Sequence, residues 1–257
     1  MSNNADLIDQ SLIGTFRYFG LQERQIDGIN YHQIHTGCNH PVWNMIVLPD
    51  KVKVAQMDRM EEIFKLKNLP FAWWVDEKNL SSEMLEHFQN DKYTDFDAIG
   101  MVYELKDYSE QNIDNKNIKI ITEIEEYKEW IRVLIRSFGF SDDVYDVYFD
   151  NLSKFIGDNK IFIPLAAYEE NKIVATASIT FANGIAAFYH DSTMPEYRNR
   201  GLASDLYRAR FKILKEMGVD KAVVQTSPMA TSLAEKLGFK KYTNYKIYCL
   251  GSVNISN

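Results

Sequence analysis

The sequence predicts a mixed α/β (α+β) fold, a mostly antiparallel sheet flanked by helices. Three observations predict it. Short apolar runs rich in Val, Ile, Phe and Tyr, such as IFIPLAAYE (161–169), KIVATASITF (172–181) and KAVVQTS (221–227), have the length and composition of strands. Between such runs, apolar residues recur at helical spacing, as in Ile124, Tyr127, Ile131, Leu134, Ile135 and Phe138. Asn183-Gly184 is a two-residue hairpin signal, because both central residues of that turn need positive φ, and it makes the flanking strands antiparallel.

In chain order, HPVWNMIVLP (40–49) and PFAWWV (70–75) read as strands and VAQMDRMEEIFKLKN (54–68) as a helix. YSEQNIDNKN (108–117) is polar and Asn-rich, and reads as a linker between domains 1–107 and 118–257. In the second domain IKIIT (118–122) is a strand, and Thr122 with Glu125 forms a capping box for the helix that follows. A second helix runs from Asp142 to Ile156. The strands 161–169 and 172–181 are joined by a tight polar turn, and IAAFYHD (185–191) is the next strand. A helix covers Gly201 to Met217, and strand 221–227 follows. MATSLAEKL (229–237) is a helix closed by Gly238, and NYKIYCL (244–250) is the last strand. SEMLEHFQNDKYTDFDAIGMVYEL (82–105) and TSLAEKLGFKKYTNYKIYCL (231–250) both run helix, KYT(D/N), strand ending in Leu. That is either a repeat shared by two halves or coincidence.

The net charge of −7 disfavours a general nucleic-acid binder and tolerates a cationic amine as ligand. Cys38 and Cys249 stand far apart and outline no disulfide framework, which favours a reducing compartment. MSNNADLIDQ lacks the basic and apolar regions of a secretory signal, and no apolar run approaches the roughly 18 residues that span a bilayer. The expectation is a soluble, cytoplasmic protein without membrane partners. His32, His35, Cys38 and His40 crowd one stretch, but their spacing fits no closed tetrahedral site, so no metal is expected.

The stretch MPEYRNRGLA (194–203) follows a strand and opens a helix. Helix N-termini expose unpaired N–H groups and the positive end of the dipole, so an anion docks there. Gly201 and Ala203 would let a diphosphate approach the backbone, and Arg198 and Arg200 would add charge beside it. A solvated loop before a helix would use the same residues.

The pattern R-x-x-G-x-A, Arg198 to Ala203, with a strand, a helix and Leu237-Gly238-Phe239 downstream, resembles the GCN5-related N-acetyltransferase (GNAT) superfamily over roughly residues 118–250. The chain looks similar to tandem members in which a degenerate GNAT-like half precedes the active one. The resemblance implies acetyl-CoA as cosubstrate, a small-molecule or peptide amine as acceptor, no nucleic acid, and a monomer or homodimer. It implies that amides of Asn199, Arg200, Gly201, Leu202, Ala203 and Ser204, with Arg198, cradle the CoA pyrophosphate. Main-chain groups of Asp191, Ser192 and Thr193 would pair with the pantetheine arm, strand 221–227 would splay away to admit it, and Ser227 would bond it too. The family's usual tyrosine, the acid that protonates the departing thiolate, is Ala234 here, and the strand glutamate position falls near Ala187. Tyr242 is the substitute acid candidate, with Tyr245 beside it; both also suit sheet packing. His190 is the base candidate, because its pKa suits the task, and a packing role fits it equally. His190 and Asp191 should face opposite sides of their strand. A non-catalytic acyl-CoA-binding or regulatory protein is the alternative reading.

Overall fold

The computed structural model describes residues 3–48, 51–90, 93–109, 117–158 and 160–251. The linker expected at 108–117 lies mostly outside the described residues.

The chain opens with a helix, α1 (Asn4–Arg17), started by an Asn3/Asp6 capping box. A hairpin, β1 (Gln22–Ile26) and β2 (Ile29–His35), turns at Asp27-Gly28, both at positive φ. Then come β3 (Asn44–Leu48), α2 (Val54–Leu66), β4 (Phe71–Asp76), α3 (Ser82–Asn90) and β5 (Thr94–Glu104). The second part runs β6 (Ile118–Ile120), α4 (Ile124–Phe138), α5 (Asp143–Leu152), β7 (Phe162–Glu169), β8 (Lys172–Ala182) and β9 (Ile185–Thr193). It closes with α6 (Leu202–Glu216), β10 (Lys221–Thr226), α7 (Pro228–Lys236) and β11 (Lys240–Leu250). Asn183-Gly184 makes its turn, at φ 53° and 76°. The expected capping box at Thr122 does not form: the N-cap of α4 is Glu123, without a side-chain cap bond. Gly201, expected as the first residue of the helix running to Met217, is its N-cap instead, and α6 starts at Leu202.

Among the described residues all strands join one sheet, in the order β1-β2-β3-β4-β11-β5-β10-β9-β8-β7-β6. The segment β3-α2-β4-α3-β5 repeats the element order of β9-α6-β10-α7-β11. The last strand of each segment is exchanged. β5 pairs antiparallel with β10, and β11 pairs antiparallel with β4. The two exchanged strands then pair with each other at the centre, with Tyr245 opposite Ala98. The twin sequences noted at 82–105 and 231–250 are therefore neighbours in space.

Alternation along the central strands separates two apolar layers. Ala98 and Val102 of β5 join Tyr127, Trp130 and Leu134 of α4 on the face covered by α1, α4 and α5. Met101 and Tyr103 join Leu206, Phe211 and Leu214 of α6 on the opposite face. On that opposite face, at the other end of the sheet, α2 and α3 pack Met57, Phe64 and Phe88 on Phe71, Trp73 and Val75 of β4. Cys38 and Cys249 are buried and unpaired.

Candidate functional site

The stretch 194–203 folds as a 3₁₀ turn, Pro195–Tyr197, followed by a tight corner into α6. Asn199 at φ 63° and Gly201 at φ 84° are both left-handed. Asn and Gly tolerate that conformation, which most residues do not. The first helical bond is Asp205 N–H to Gly201 C=O at 3.1 Å, so the amides of Leu202, Ala203 and Ser204 precede it as orphan donors. A Cβ on Gly201 would meet no atom within 4 Å, so the space before the corner is open. Orphan amides around a left-handed corner, at the positive end of a helix, form an anion cradle. The residues expected to bind cofactor, Asp191 to Thr193 and Arg198 to Ser204, all line one cleft of ≈ 410 Å³.

The two arginines hold this loop in shape. Arg198 donates from Nε to the Thr193 carbonyl at 3.2 Å and from Nη2 to the Ser137 carbonyl at 3.3 Å. It thereby ties the loop to the end of α4. Arg200 pairs with Glu169 at 2.9 Å and donates to the Glu196 carbonyl at 2.9 Å. Both line the cleft, but each guanidinium already has partners, so the backbone amides are the freer donors.

Beyond the loop the sheet divides. β9 and β10 pair in parallel at Ala186–Ala222, Ala187–Val223 and Phe188–Val224. Past that point β9 follows β8, with Ser192 opposite Thr176, while β10 follows β5, with Gln225 opposite Gly100. The register of β8 and β9 shifts between Thr176 and Ser178, and His190 in this bulge has φ 61°. The bulge puts Tyr189 and His190 together toward α1, α4 and α5, and turns Asp191 toward α6. Asp191 is gripped there by Arg210, a fully buried residue of α6, at 3.1 Å from Nη1 and by a second bond from Nη2. Arg210 also donates to the Ser178 carbonyl at 3.1 Å and lies over the rings of Phe188 and Tyr207, 4.1 and 4.4 Å from their centroids.

His190 accepts or donates one bond, Nδ1 to Ser178 Oγ at 2.7 Å, and its ring sits among Trp130, Tyr148 and Phe162 at 5.6, 5.2 and 6.0 Å. Burial, and secondarily the Arg210 charge, depress its pKa to about 3. The ring is neutral at physiological pH, and its weak proton affinity makes it a poor base. The sign for stability follows. The unfolded chain takes up this proton near the ordinary 6.5, so stability is complete above that value and is lost as pH falls toward 3. Each such group contributes a slope of up to about 1.4 kcal/mol per pH unit. His40, lowered to about 4 by burial, adds to the same trend. Urea midpoints measured from about pH 7 to about pH 4 are expected to fall, and less steeply in His190→Asn; an equal slope in the variant would refute the neutral ring.

The profile of the acetyltransferase (GNAT) family matches residues 124–239. The match covers 116 of the 257 residues, under half of the chain. No curated protein matches the sequence. Among solved structures it is similar to a GCN5-related N-acetyltransferase from Kribbella flavida, with a TM-score of 0.71 and 14% identity over 97% of this chain and 96% of that one. It is also similar to a GCN5-related N-acetyltransferase from Sphaerobacter thermophilus, with a TM-score of 0.60 and 12% identity over 100% and 97% of the two chains. A tandem GNAT protein from the clavulanic acid biosynthesis pathway gives a TM-score of 0.56 and 10% identity over 96% and 95%. At these identities the likeness is one of fold.

Within the matched residues, Ala234 is fully buried on α7 and brings no phenol to the cleft. Tyr242 lies on β11, which β5 and β10 separate from the split, and is 43% exposed. It is the extra residue of a bulge in β11, so its side chain is set outside the sheet's regular alternation. Tyr245 is buried and donates to Asp9 Oδ1 of α1. Ser227 is the exposed N-cap of α7, three residues before Ala230 of the cleft wall. Three residues at the cleft and the split escaped the sequence reading: Tyr189, Gln225 and Arg210. RARFKIL offers three cations, and only the position of Arg210 opposite Asp191 shows that it is the buried one. His32, His35, Cys38 and His40 do not converge. The group that does, among the described residues, is Asp58, Glu61 and His87. There the buried Glu61 Oε1 already accepts from Trp73 Nε1 and Tyr93 OH at 2.8 and 2.7 Å and meets His87 Nε2 at 3.0 Å. No helix among the described residues is long and apolar enough to cross a membrane.

Proposed function

We propose that this chain is an acetyl-CoA-dependent N-acetyltransferase acting on a primary amine by direct attack on the thioester. The observation that carries the proposal is the continuity of one cleft from the amide cradle at Leu202–Ser204 to the split between β9 and β10. The cradle holds the pyrophosphate, the free edge of β9 at Asp191–Thr193 aligns the pantetheine arm, and the split lets the acyl end through the sheet. Met229, 70% exposed at the cleft wall, gives the bound cofactor an apolar surface. On the far face Phe19 stands 6.5 Å from the His190 ring and also lines a recess with Asp143, Asp146 and Asp150. Those carboxylates suit the approach of a cationic amine.

His190 orients rather than deprotonates, so the amine's proton leaves to water. A thiolate is already a fair leaving group, and the missing tyrosine costs part of the about 10²–10⁴-fold that acid catalysis supplies where it is needed. Thiol release with a panel of amines and peptides should therefore require the amine. Its kcat/KM should rise about tenfold per pH unit below the amine's own pKa, with no enzyme group titrating near 6.5. A second reading, a non-catalytic acyl-CoA-binding or regulatory protein, is favoured by Ala234 and the weak basicity of His190. It gains if no amine raises thiol release above background.

A further inference from the structure

We infer that helix α1 sets the length of the acyl chain this protein accepts, with Ser11 and Thr15 as the residues that determine it. The inference rests on the acyl-CoA reading above. The cleft on the α6 side ends at the split, between Asp191 on β9 and Ala230 on α7. On the other face the split is stopped. The Tyr189 hydroxyl donates to Gln225 Oε1 at 2.5 Å, a bond that spans the two diverging strands. Gln225 Nε2 in turn donates to the Ile8 carbonyl of α1 at 3.3 Å. Ser11 and Thr15 stand behind the Tyr189 phenol. They are 0% and 2% exposed, and the polar group within reach of both hydroxyls is that phenol.

Two physical effects follow. The first is volume. α1 is seated so closely on the β8–β9 hairpin that a Cβ on Gly14 would lie 2.6 Å from the Ala182 Cβ. The helix therefore cannot settle further to adjust the space beneath it, and Ile8 and Leu12 fill its flanks. The second is polarity. Both hydroxyls are buried beside one phenol, which already bonds Gln225, so each is a polar group that gains from a further polar neighbour. A short polar group arriving through the split, such as a thioester carbonyl with only a methyl beyond it, can satisfy one of them. An alkyl tail would bury both against methylenes. Both effects select a short acyl group over a long one.

The test is calorimetric binding of CoA, acetyl-CoA, butyryl-CoA and octanoyl-CoA to the full chain. Acetyl-CoA is expected to bind within a fewfold of CoA, and butyryl-CoA at least about tenfold more weakly, since one methylene in a fitted pocket is worth about 10–200-fold. Thr15→Ala removes both hydroxyl and methyl, and should recover butyryl-CoA binding by about tenfold while leaving CoA itself within twofold. Thr15→Val keeps the volume and removes only the hydroxyl, so butyryl-CoA should stay excluded. Should Thr15→Ala fail to fold, Ser11→Gly opens the same space from the preceding turn and carries the same expectation. Equal binding of acetyl- and butyryl-CoA by the unmodified chain would overturn the inference, as would an unchanged ratio in both opened variants. Failure of CoA itself to bind would instead refute the acyl-CoA reading, and this inference with it.

Discussion

Gly201→Glu is expected to abolish stabilisation of the fold by acetyl-CoA. At about 100-fold over Kd a ligand bound only by the native state adds about 2.7 kcal/mol, which for a chain of this size is a rise in Tm of roughly 5–10 °C. The glutamate acts in two ways. Gly201 sits at φ 84°, where a side chain costs about 1–2 kcal/mol, and its missing Cβ points into open cleft. The carboxylate would occupy the space before the amides of Leu202 to Ser204 and repel phosphate. Because the backbone strain lowers Tm by itself, the measurement is the ligand-dependent shift within each variant. Gly201→Asn, which tolerates the left-handed region, should keep most of the shift. A full shift in Gly201→Glu would remove the pyrophosphate from this corner.

Arg210→Met is expected to have the largest effect on stability, about 3–5 kcal/mol, the usual cost of stranding one partner of a buried ion pair. Arg210 is fully buried, and its loss leaves the Asp191 carboxylate, 27% exposed, without its two bonds. The Ser178 carbonyl also loses its donor, at the bulge that turns β9 away from β10. Urea unfolding should show a lower midpoint with an unchanged slope. Adding Asp191→Asn to Arg210→Met should restore part of the loss, because the stranded charge is gone. A loss below about 1 kcal/mol in Arg210→Met would mean that the pair is solvent-screened and does not hold the split.

The corner at Asn199 to Gly201 was legible in the sequence because its geometry is local. Glycine and asparagine there permit left-handed backbone, and the helix that follows supplies the amides. The Asn183-Gly184 hairpin was legible for the same reason. Asp27-Gly28 carried an equal signal between QERQI and INYHQIH, and reading it would have found β1 and β2. The capping box of Asn3 and Asp6 likewise announced α1. The roles of single side chains were harder. Arg198 and Arg200 have the charge that phosphate attracts, but nearby carbonyls and Glu169 engage them first. Simple alternation put His190 and Asp191 on opposite faces correctly. It did not foresee that a bulge would set Tyr189 beside His190.

By itself, then, the sequence determined most elements of the second half, the Asn183-Gly184 turn and the corner at Asn199 to Gly201, since each depends on residues within about one turn of one another. The tertiary structure alone decided the exchange of β5 and β11, the clamp of Arg210 on Asp191, the protonation state of His190 and the closure of the split by α1. Each of these depends on groups that meet across the sheet, some of them more than 200 positions apart, as Ile8 and Gln225 are. Burial sets their energies, and burial exists only once the halves have packed.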